Sequence, residues 1–186
     1  MAKEFPIFET DRLFLRKATK VDANHMFTYL SNKDVVKHMG LEPFQTLNDV
    51  YDEINWYQSI YDEGSGIRWG ITLKDSDKVI GSCGFLNIKS KHHRAEVGFE
   101  LSKEYWGKGI ASEALEAVLR YGYQHFQLER IEALIEPNNV PSQKLVERQG
   151  FIREGLLRHY EFTCGKFDDL YIYSLLKDDV MNRRNR

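Results

Sequence analysis

A strand, a tight turn with two glycines and the start of a helix follow one another between Ala95 and Ala114. Gly107 and Gly109 lack a Cβ, so the backbone of this turn can bend sharply and approach a ligand closely. The first N–H groups of the following helix have no partner within the helix, and the helix dipole favours negative charge there. The pattern predicts a turn that binds a phosphate or pyrophosphate, with Lys108 adding positive charge at its rim.

The strands and the helix that the sequence predicts around this turn indicate a mixed sheet. Three strands, over residues 67–73, 79–88 and 94–101, are joined by short spacers. They should form an antiparallel meander, because a parallel connection needs a crossover of about a dozen residues or more. A helix over 109–126 and a strand over 130–135 then complete a β-α-β unit, so the strands before and after this helix should be parallel neighbours.

Hydrophobic periodicity and turn residues predict the other elements. They are a strand over 12–18, a helix that begins at Asp22 with this residue as its cap, a short helix over 34–39, a helix over 46–62 capped by Thr46, a helix over 141–149 ended by Gly150, and a hairpin of strands over 151–162 and 167–176. The fold class is therefore α/β (α+β), with one mixed sheet that is antiparallel at its start. We expect one domain over residues 10–178, with 1–9 and 179–186 as terminal extensions.

Composition places the chain among ordinary soluble proteins. Its 186 residues suit one domain, and a net charge of −2 excludes a basic nucleic-acid-binding surface over the chain as a whole. No apolar run approaches the roughly 18 residues of a membrane span, and the N-terminus has no signal-peptide core. These features predict a cytoplasmic protein without a membrane partner. Cys83 and Cys164 have no C-x-x-C spacing, and we expect two buried, reduced thiols.

Two known glycine turns fit the sequence poorly. A P-loop requires G-x-x-x-x-G-K-S/T, whereas the glycines here are two residues apart with Lys108 between them. A dinucleotide fingerprint requires a third glycine where Ser112 stands, although Glu129 lies at a suitable distance for a ribose contact. That fold also needs a parallel sheet, which the antiparallel meander contradicts.

A third turn fits better. The run Trp106–Ala111 resembles the pyrophosphate turn Q/R-x-x-G-x-G/A of the GNAT acyltransferases, with Trp106 in place of the Gln or Arg. Residues 136–151 resemble the N-x-x-S and E-x-x-G-F signature of the same family. The run Y-W-G-K-G-I-A-S-E-A-L is similar to that of the ribosomal-protein N-terminal acetyltransferases of the RimJ/RimL type. The resemblance covers about residues 10–178 and predicts the GNAT fold: a mostly antiparallel central sheet, splayed at a cofactor cleft and flanked by helices.

The resemblance implies how acetyl-coenzyme A is held. The sheet opens where the strands over 94–101 and 130–135 part, and the pantetheine arm lies in that cleft. Asn139 is placed beside the arm, and Ser142 close to the sulfur. The remaining cofactor-binding residues act through the main chain: Phe99, Glu100 and Leu101 toward the arm, and Trp106, Gly107, Lys108, Gly109, Ile110, Ala111 and Ser112 toward the pyrophosphate.

Attack of an amine on a thioester requires a base, because the amine is mostly protonated at neutral pH. Glu96 aligns with the strand carboxylate that serves as base in several family members, and its apolar strand should raise its pKa. Glu100 is the competing carboxylate, since residues 96, 98 and 100 face the same side of a strand. A structural pairing of Glu96 with a neighbouring Arg or Lys remains open. Gly98 fits a bulge, a close ligand approach or tight packing.

Ser142 is the second candidate catalytic residue. It is expected either to stabilise the leaving thiolate by a hydrogen bond or only to cap its helix. Many family members carry a tyrosine as general acid one turn later, where this chain has Val146. No metal is expected, because His92 and His93 in a turn have no third ligand nearby. On the acceptor side we expect one or two of Trp56, Tyr57, Tyr61 and Trp69, together with Tyr160 and Phe162.

The resemblance therefore predicts direct transfer of an acetyl group from acetyl-coenzyme A to a primary amine. The first acceptor class is the α-amino group of a protein, as for the ribosomal-protein enzymes. A small-molecule amine such as a polyamine, amino sugar or antibiotic is the alternative, and a non-catalytic acyl-coenzyme A sensor is a second alternative. Relatives often form dimers through edge strands, which makes a homodimer possible by analogy.

Overall fold

The computed structural model describes residues 4–184. It contains one eight-stranded sheet with α-helices packed on both faces. The strands are β1 (Phe8–Glu9), β2 (Leu13–Arg16), β3 (Ile67–Leu73), β4 (Val79–Lys89), β5 (Arg94–Leu101), β6 (Arg130–Ile135), β7 (Ile152–Thr163) and β8 (Lys166–Leu176). The helices are α1 (Ala23–Leu30), α2 (Lys33–Val36), α3 (Leu47–Asp62), α4 (Ile110–His125), α5 (Val140–Gln149) and α6 (Lys177–Arg184).

The strand order is β1-β2-β3-β4-β5-β6-β8-β7. Neighbours from β1 to β5 are antiparallel, as the short spacers predict, and so are β6 with β8 and β8 with β7. The pair β5 and β6 is parallel, with α4 as the crossover between them. The predicted fold class, a mixed and mostly antiparallel sheet flanked by helices, is confirmed.

The parallel pair is short and creates the opening in the sheet. Only Arg94, Ala95 and Glu96 of β5 pair with β6, opposite residues 130–132. Beyond Glu96 the two strands continue without partners on their facing edges, while β5 remains paired with β4 as far as Leu101. The second half of β5 therefore offers main-chain groups to anything that enters between the strands.

The two faces of the meander differ in chemistry. Alternate residues such as Phe85 and Val97 belong to the large core that includes Leu115 and Val118 of α4. The opposite face is covered by α1 and α3, which have their own core around Met26 and Val50. Near β5 this second face carries polar residues, and the candidate site lies there.

Several local predictions are corrected. Asp22 does not cap α1: its carboxylate accepts hydrogen bonds from Arg16 Nη2 at 2.8 Å and from the Thr19 amide at 2.8 Å, because the guanidinium is the stronger partner. Cys164 is exposed rather than buried, since it forms the tight turn between β7 and β8 with φ of 49°.

The chain ends contain more structure than the sequence pattern predicts. Phe8–Glu9 pairs with β2, and α6 covers most of the segment expected as a C-terminal extension. Residues 1–3 and 185–186 of the expected extensions lie outside the described range. Within residues 4–184, no helix is long and apolar enough to cross a membrane.

Candidate active site

A cavity of about 460 Å³ lies where β5 and β6 part. Its walls come from these two strands, α3, the start of α5, the β7–β8 hairpin and the segment that follows α2. Six carboxylates line it, against one arginine and one histidine. The polar side chains of the lining are His38, Glu53, Arg68, Glu96, Glu100, Glu136, Asn139, Ser142, Glu161, Thr163 and Asp168.

Glu96 stands at the fork of the sheet, as the last residue of β5 that pairs with β6. Its carboxylate accepts a hydrogen bond from Asn87 Nδ2 at 3.0 Å and forms no ion pair among residues 4–184. Burial raises the pKa of Glu96, and the nearby negative charges of Glu161 and Glu132 raise it further. A carboxylate in this state can accept a proton from a group inside the cavity.

Glu100, the competing carboxylate, is placed very differently. It is buried and forms an ion pair with Arg68, and its Oε1 accepts hydrogen bonds from Ser82 and, at 3.3 Å, from Tyr57. The structural pairing left open for Glu96 is therefore found at Glu100 instead. The carboxylate oxygens of Glu100 are therefore occupied by partners within the sheet and on α3.

The same arginine explains Gly98. Arg68, Gly84 and Gly98 stand opposite one another on β3, β4 and β5, so the arginine side chain crosses the sheet over two glycines. A methyl group placed on Gly98 would lie 2.7 Å from Arg68 Nη1. The strand keeps its register at this point, so Gly98 is a position of close packing against Arg68 and does not form a bulge.

The far wall is formed by the start of α5. Asn139 is its N-cap, and Asn139 Oδ1 accepts a hydrogen bond from the Ser142 amide at 3.2 Å. Both side chains line the cavity, and the Ser142 hydroxyl makes no hydrogen bond within the described range. Val146, at the position where many family members have tyrosine, is completely buried.

The glycine turn lies at the end of β5, outside the lining of this cavity. Gly107 and Gly109 have φ of 71° and 77°, a left-handed conformation that favours glycine, and α4 begins directly after them at Ile110. The indole Nε1 of Trp106 donates to the Leu101 carbonyl at 2.7 Å, which ties the turn to the strand. The turn has the geometry of an anion-binding helix N-terminus.

Contacts from distant parts of the chain hold this turn. Arg12 Nη1 donates to the Lys108 carbonyl at 3.0 Å, and Arg12 Nε pairs with Glu113 of α4 at 2.6 Å. The Ser112 hydroxyl accepts a hydrogen bond from Gln149 of α5 at 2.7 Å. The sequence predicted the turn itself but gave no signal for the arginine and glutamine that support it.

Comparison with known proteins identifies the family. Residues 12–152 match the acetyltransferase (GNAT) domain family. The chain belongs to the GNAT acetyltransferases. It is 43% identical over 168 residues to the uncharacterised N-acetyltransferase p20 of Bacillus licheniformis, covering 90% of this chain and 94% of that protein.

Two further GNAT relatives extend the comparison. The ribosomal protein uS5-alanine N-acetyltransferase of Escherichia coli is 29% identical over 182 residues, covering 91% of this chain and 90% of that enzyme. A GNAT-family acetyltransferase crystal structure from Bacillus anthracis superposes with a TM-score of 0.82 at 28% identity, covering 93% of this chain and 99% of that one. The predicted membership of the GNAT family and its RimJ/RimL-like relationship are confirmed.

The aromatic residues expected on the acceptor side of this GNAT site are only partly there. Trp56 lines the cavity, Tyr57 lies behind it beside Glu100, and Trp69 is buried in the core. Tyr160 and Phe162 do not line the cavity, and both are more than half exposed. Successive residues of a strand face opposite sides, so Glu161 and Thr163 of the same strand point into the cavity instead.

Two polar side chains of the GNAT cavity have no signal in the sequence. His38 Nδ1 lies 2.7 Å from a carboxylate oxygen of Glu136, which joins the segment after α2 to the end of β6. Glu53, on α3, faces the cavity, and burial beside the charge of Glu100 raises its pKa to about 7. The sequence pattern predicted a helix at both positions, over 34–39 and 46–62, and gave no functional role to either residue; in the structure His38 lies in a turn after α2.

Proposed function

We propose that this N-acetyltransferase moves the acetyl group of acetyl-coenzyme A directly to a primary amine inside the cavity, with Glu96 as the base. The observation that carries the proposal is the state of Glu96. It stands at the fork of the sheet, faces the cavity, has no cationic partner within the described range, and has a raised pKa. Such a carboxylate is suited to accept the proton that an amine loses when its nitrogen attacks the thioester near neutral pH.

The residues present fit acetyl-coenzyme A. Main-chain amides of Trp106–Ser112 would hold its pyrophosphate, since Gly107 and Gly109 expose the backbone and the first N–H groups of α4 have no partner in the helix. The free edge of β5, at Phe99, Glu100 and Leu101, would pair with its amide-containing arm. The cofactor supplies an activated acyl group with a good leaving thiolate.

The residues of the chain then have separate roles. Glu96 takes the proton from the amine as its nitrogen bonds to the thioester carbon, and the Ser142 hydroxyl is free to donate a hydrogen bond to the departing sulfur. Asn139 orients Ser142 through the helix cap. Cys83 does not carry the acetyl group, because it is buried on the other face of β4 and burial raises its pKa to about 12.

Our first candidate acceptor is the α-amino group of a protein. Its support is the similarity, along nearly the whole chain, to the uS5-alanine N-acetyltransferase. The cavity opens beside exposed Trp56, and its acidic lining would attract an ammonium group. Transfer within this cavity would leave the remainder of a protein acceptor outside.

A small amine with several positive charges is the second candidate. Glu53 and Glu161 line the cavity without an ion-pair partner among residues 4–184, in contrast to Glu136 and Asp168, which contact His38 and Lys166. One ammonium group at Glu96 would leave those two carboxylates uncompensated. A diamine or polyamine would supply further positive charge to them.

The two candidates are separated by measuring thiol release from acetyl-coenzyme A. The acceptors are an alanine-initiated peptide, the same peptide with a blocked N-terminus, a linear diamine and the monoamine of equal chain length. Turnover of the free peptide alone supports a protein acceptor, and preference for the diamine over the monoamine supports the polyamine class. Cofactor binding without turnover of any acceptor would contradict the proposal and favour an acyl-coenzyme A sensor.

A further inference from the structure

Arg68 has hydrogen-bonding capacity that the described part of the protein does not use. A guanidinium group has five N–H donors. Arg68 Nη2 donates to Ser82 Oγ at 2.5 Å and to Glu100, whereas Nε and Nη1 have no hydrogen-bond acceptor among residues 4–184. The residue is only 6% exposed, and buried donors of this kind normally have a partner.

One of the unused donors, Nη1, is close to the proposed reaction centre. Arg68 lines the cavity, and its Nη1 lies over Gly98, where a side chain of that residue would otherwise stand. Gly98 is two residues from Glu96 on the same face of β5 and immediately precedes the main-chain groups proposed for the cofactor arm. A ligand in the fork therefore meets the guanidinium beside the base.

The surrounding groups fix the charge and position of this guanidinium. Glu100 pairs with it, and the Tyr57 ring lies 5.5 Å from its central carbon. Nearby negative charge keeps the pKa of Arg68 above its ordinary value, so the group stays protonated. A fixed, desolvated cation with free N–H groups is suited to a ligand oxygen that carries partial or developing negative charge.

We propose that Arg68 is a substrate-contacting residue whose guanidinium donates a hydrogen bond to a carbonyl oxygen in the cavity. This inference rests on the proposed acetyl transfer. Two carbonyl groups are candidates: that of the acetyl thioester and the first peptide carbonyl of an α-amino acceptor. In the first case the amine nitrogen bonds to the carbonyl carbon, and the π electrons move to the oxygen that faces Arg68. The amine proton passes to Glu96, and the C–S bond breaks as the carbonyl re-forms.

The test must separate substrate contact from the ion pair with Glu100. Arg68→Met alone leaves a buried carboxylate without its cation and can fail to fold. The informative variant is therefore the double variant Arg68→Met with Glu100→Gln, which removes both charges. Its reference is the single variant Glu100→Gln. Circular dichroism and binding of coenzyme A establish that each variant is folded.

We expect the double variant to bind coenzyme A normally and to lose about 10²-fold or more in kcat relative to Glu100→Gln, as for loss of an oxyanion donor. An equal loss with a peptide and with a simple alkyl amine assigns the contact to the thioester carbonyl. A loss confined to the peptide assigns it to the acceptor carbonyl. Isotope-edited infrared spectra of bound acetyl-coenzyme A provide a second measurement, because a hydrogen bond lowers the stretching frequency of the thioester carbonyl. If Arg68 contacts this carbonyl, the frequency should be lower in Glu100→Gln than in the double variant.

Other outcomes would overturn the inference. A folded double variant that is as active as Glu100→Gln on both acceptors would show that Arg68 serves only its ion pair. If the natural protein turns over no amine, the proposed function fails and this inference fails with it. If the natural protein turns over an amine and the double variant is unaffected, the proposed function stands and only the role of Arg68 is contradicted.

Discussion

The glycine turn and the cavity divide the site into two regions that are built differently. The turn is formed by consecutive residues that lead directly into α4, and distant residues such as Arg12 support it. In the cavity, side chains from α3, β3, β5, α5 and the β7–β8 hairpin come together across the whole chain. The proposed anion-binding turn is thus encoded locally, whereas the proposed chemistry depends on how the elements pack.

A second contrast lies within the cavity, between two glutamates on one face of β5. Glu100 is neutralised by Arg68 and hydrogen-bonded by Ser82, while Glu96 has only the neutral Asn87. The difference follows from the neighbouring strand positions: Ser82 stands opposite Glu100 and Leu86 opposite Glu96. One carboxylate is therefore paired within the sheet, and the other is the base that we propose.

The largest expected effect tests this contrast directly. Glu96→Gln keeps the size and the Asn87 contact of the side chain but cannot accept the amine proton. We expect kcat to fall by about 10²- to 10⁴-fold, the range for loss of a general base, with unchanged binding of acetyl-coenzyme A. Steady-state kinetics from pH 6 to 9 provide the measurement. If the variant keeps the natural kcat across this range, Glu96 is not the base, and an ordered water or another carboxylate must take the proton.

Glu100→Gln should have the opposite signature, a loss of stability with little direct effect on proton transfer. It leaves the buried Arg68 guanidinium without its counter-ion, which costs about 3–5 kcal/mol when a buried pair is broken. Chemical denaturation followed by circular dichroism gives the free energy of unfolding. Equal stability of the variant and the natural protein would mean that the ion pair does not hold β5.

Gly109→Val tests the turn separately from the cavity. Valine at φ of 77° is strained, and its Cβ would lie 3.3 Å from Arg12 Nη2, so the turn must change shape. We expect the Kd of coenzyme A to rise about tenfold or more, measured by calorimetry. Gly64→Val is the matched control, because Gly64 has φ of 70° and no atom near its Cβ position. Equal effects of the two substitutions would argue against a pyrophosphate at the turn.

The sequence predicted the glycine turn more completely than the cavity. The turn and the strands at Arg94–Leu101 and Arg130–Ile135 follow from local patterns and short spacers, whereas the opening between the two strands was predicted from the resemblance to the GNAT family. Glu96 was also chosen from that resemblance, and the alternation of β5 predicted only that it shares a face with Gly98 and Glu100; the structure places it in the cavity lining. Arg68 could not be found in this way, because a residue within a buried strand gives no sign that it crosses two neighbouring glycines.

The β7–β8 hairpin is a second place where the sequence did not show which side chains face the cavity. The prediction placed Tyr160 and Phe162 on the acceptor side, whereas both are exposed and Glu161 and Thr163 of the same strand line the cavity. Large aromatic side chains on a strand favour burial in general. Here β7 is an edge strand with a register shift between Leu157 and Glu161, so the sequence pattern alone did not determine which residues face inward.

The smallest expected effect concerns Glu53, which lies near Arg68 but on the α3 wall. Its pKa is about 7 in the folded protein and close to 4.5 when unfolded, so the folded state binds more protons between these values. Stability should therefore fall as pH rises from 4.5 to 7. Glu53→Gln removes this loss, and we expect its Tm to exceed that of the natural protein by a few degrees at pH 8 and to equal it near pH 4.

The same substitution sharpens the pH profile of catalysis. In the natural protein, both Glu53 and Glu96 become ionised as pH rises, so the acid limb of kcat/KM contains two carboxylates. In Glu53→Gln only the limb of Glu96 should remain, with activity still lost as pH falls and Glu96 becomes protonated. If the acid limb disappears in Glu53→Gln and persists in Glu96→Gln, then α3 rather than β5 supplies the base. If the acid limb is retained in Glu53→Gln and lost in Glu96→Gln, then Glu96, at the fork of the sheet, is the base.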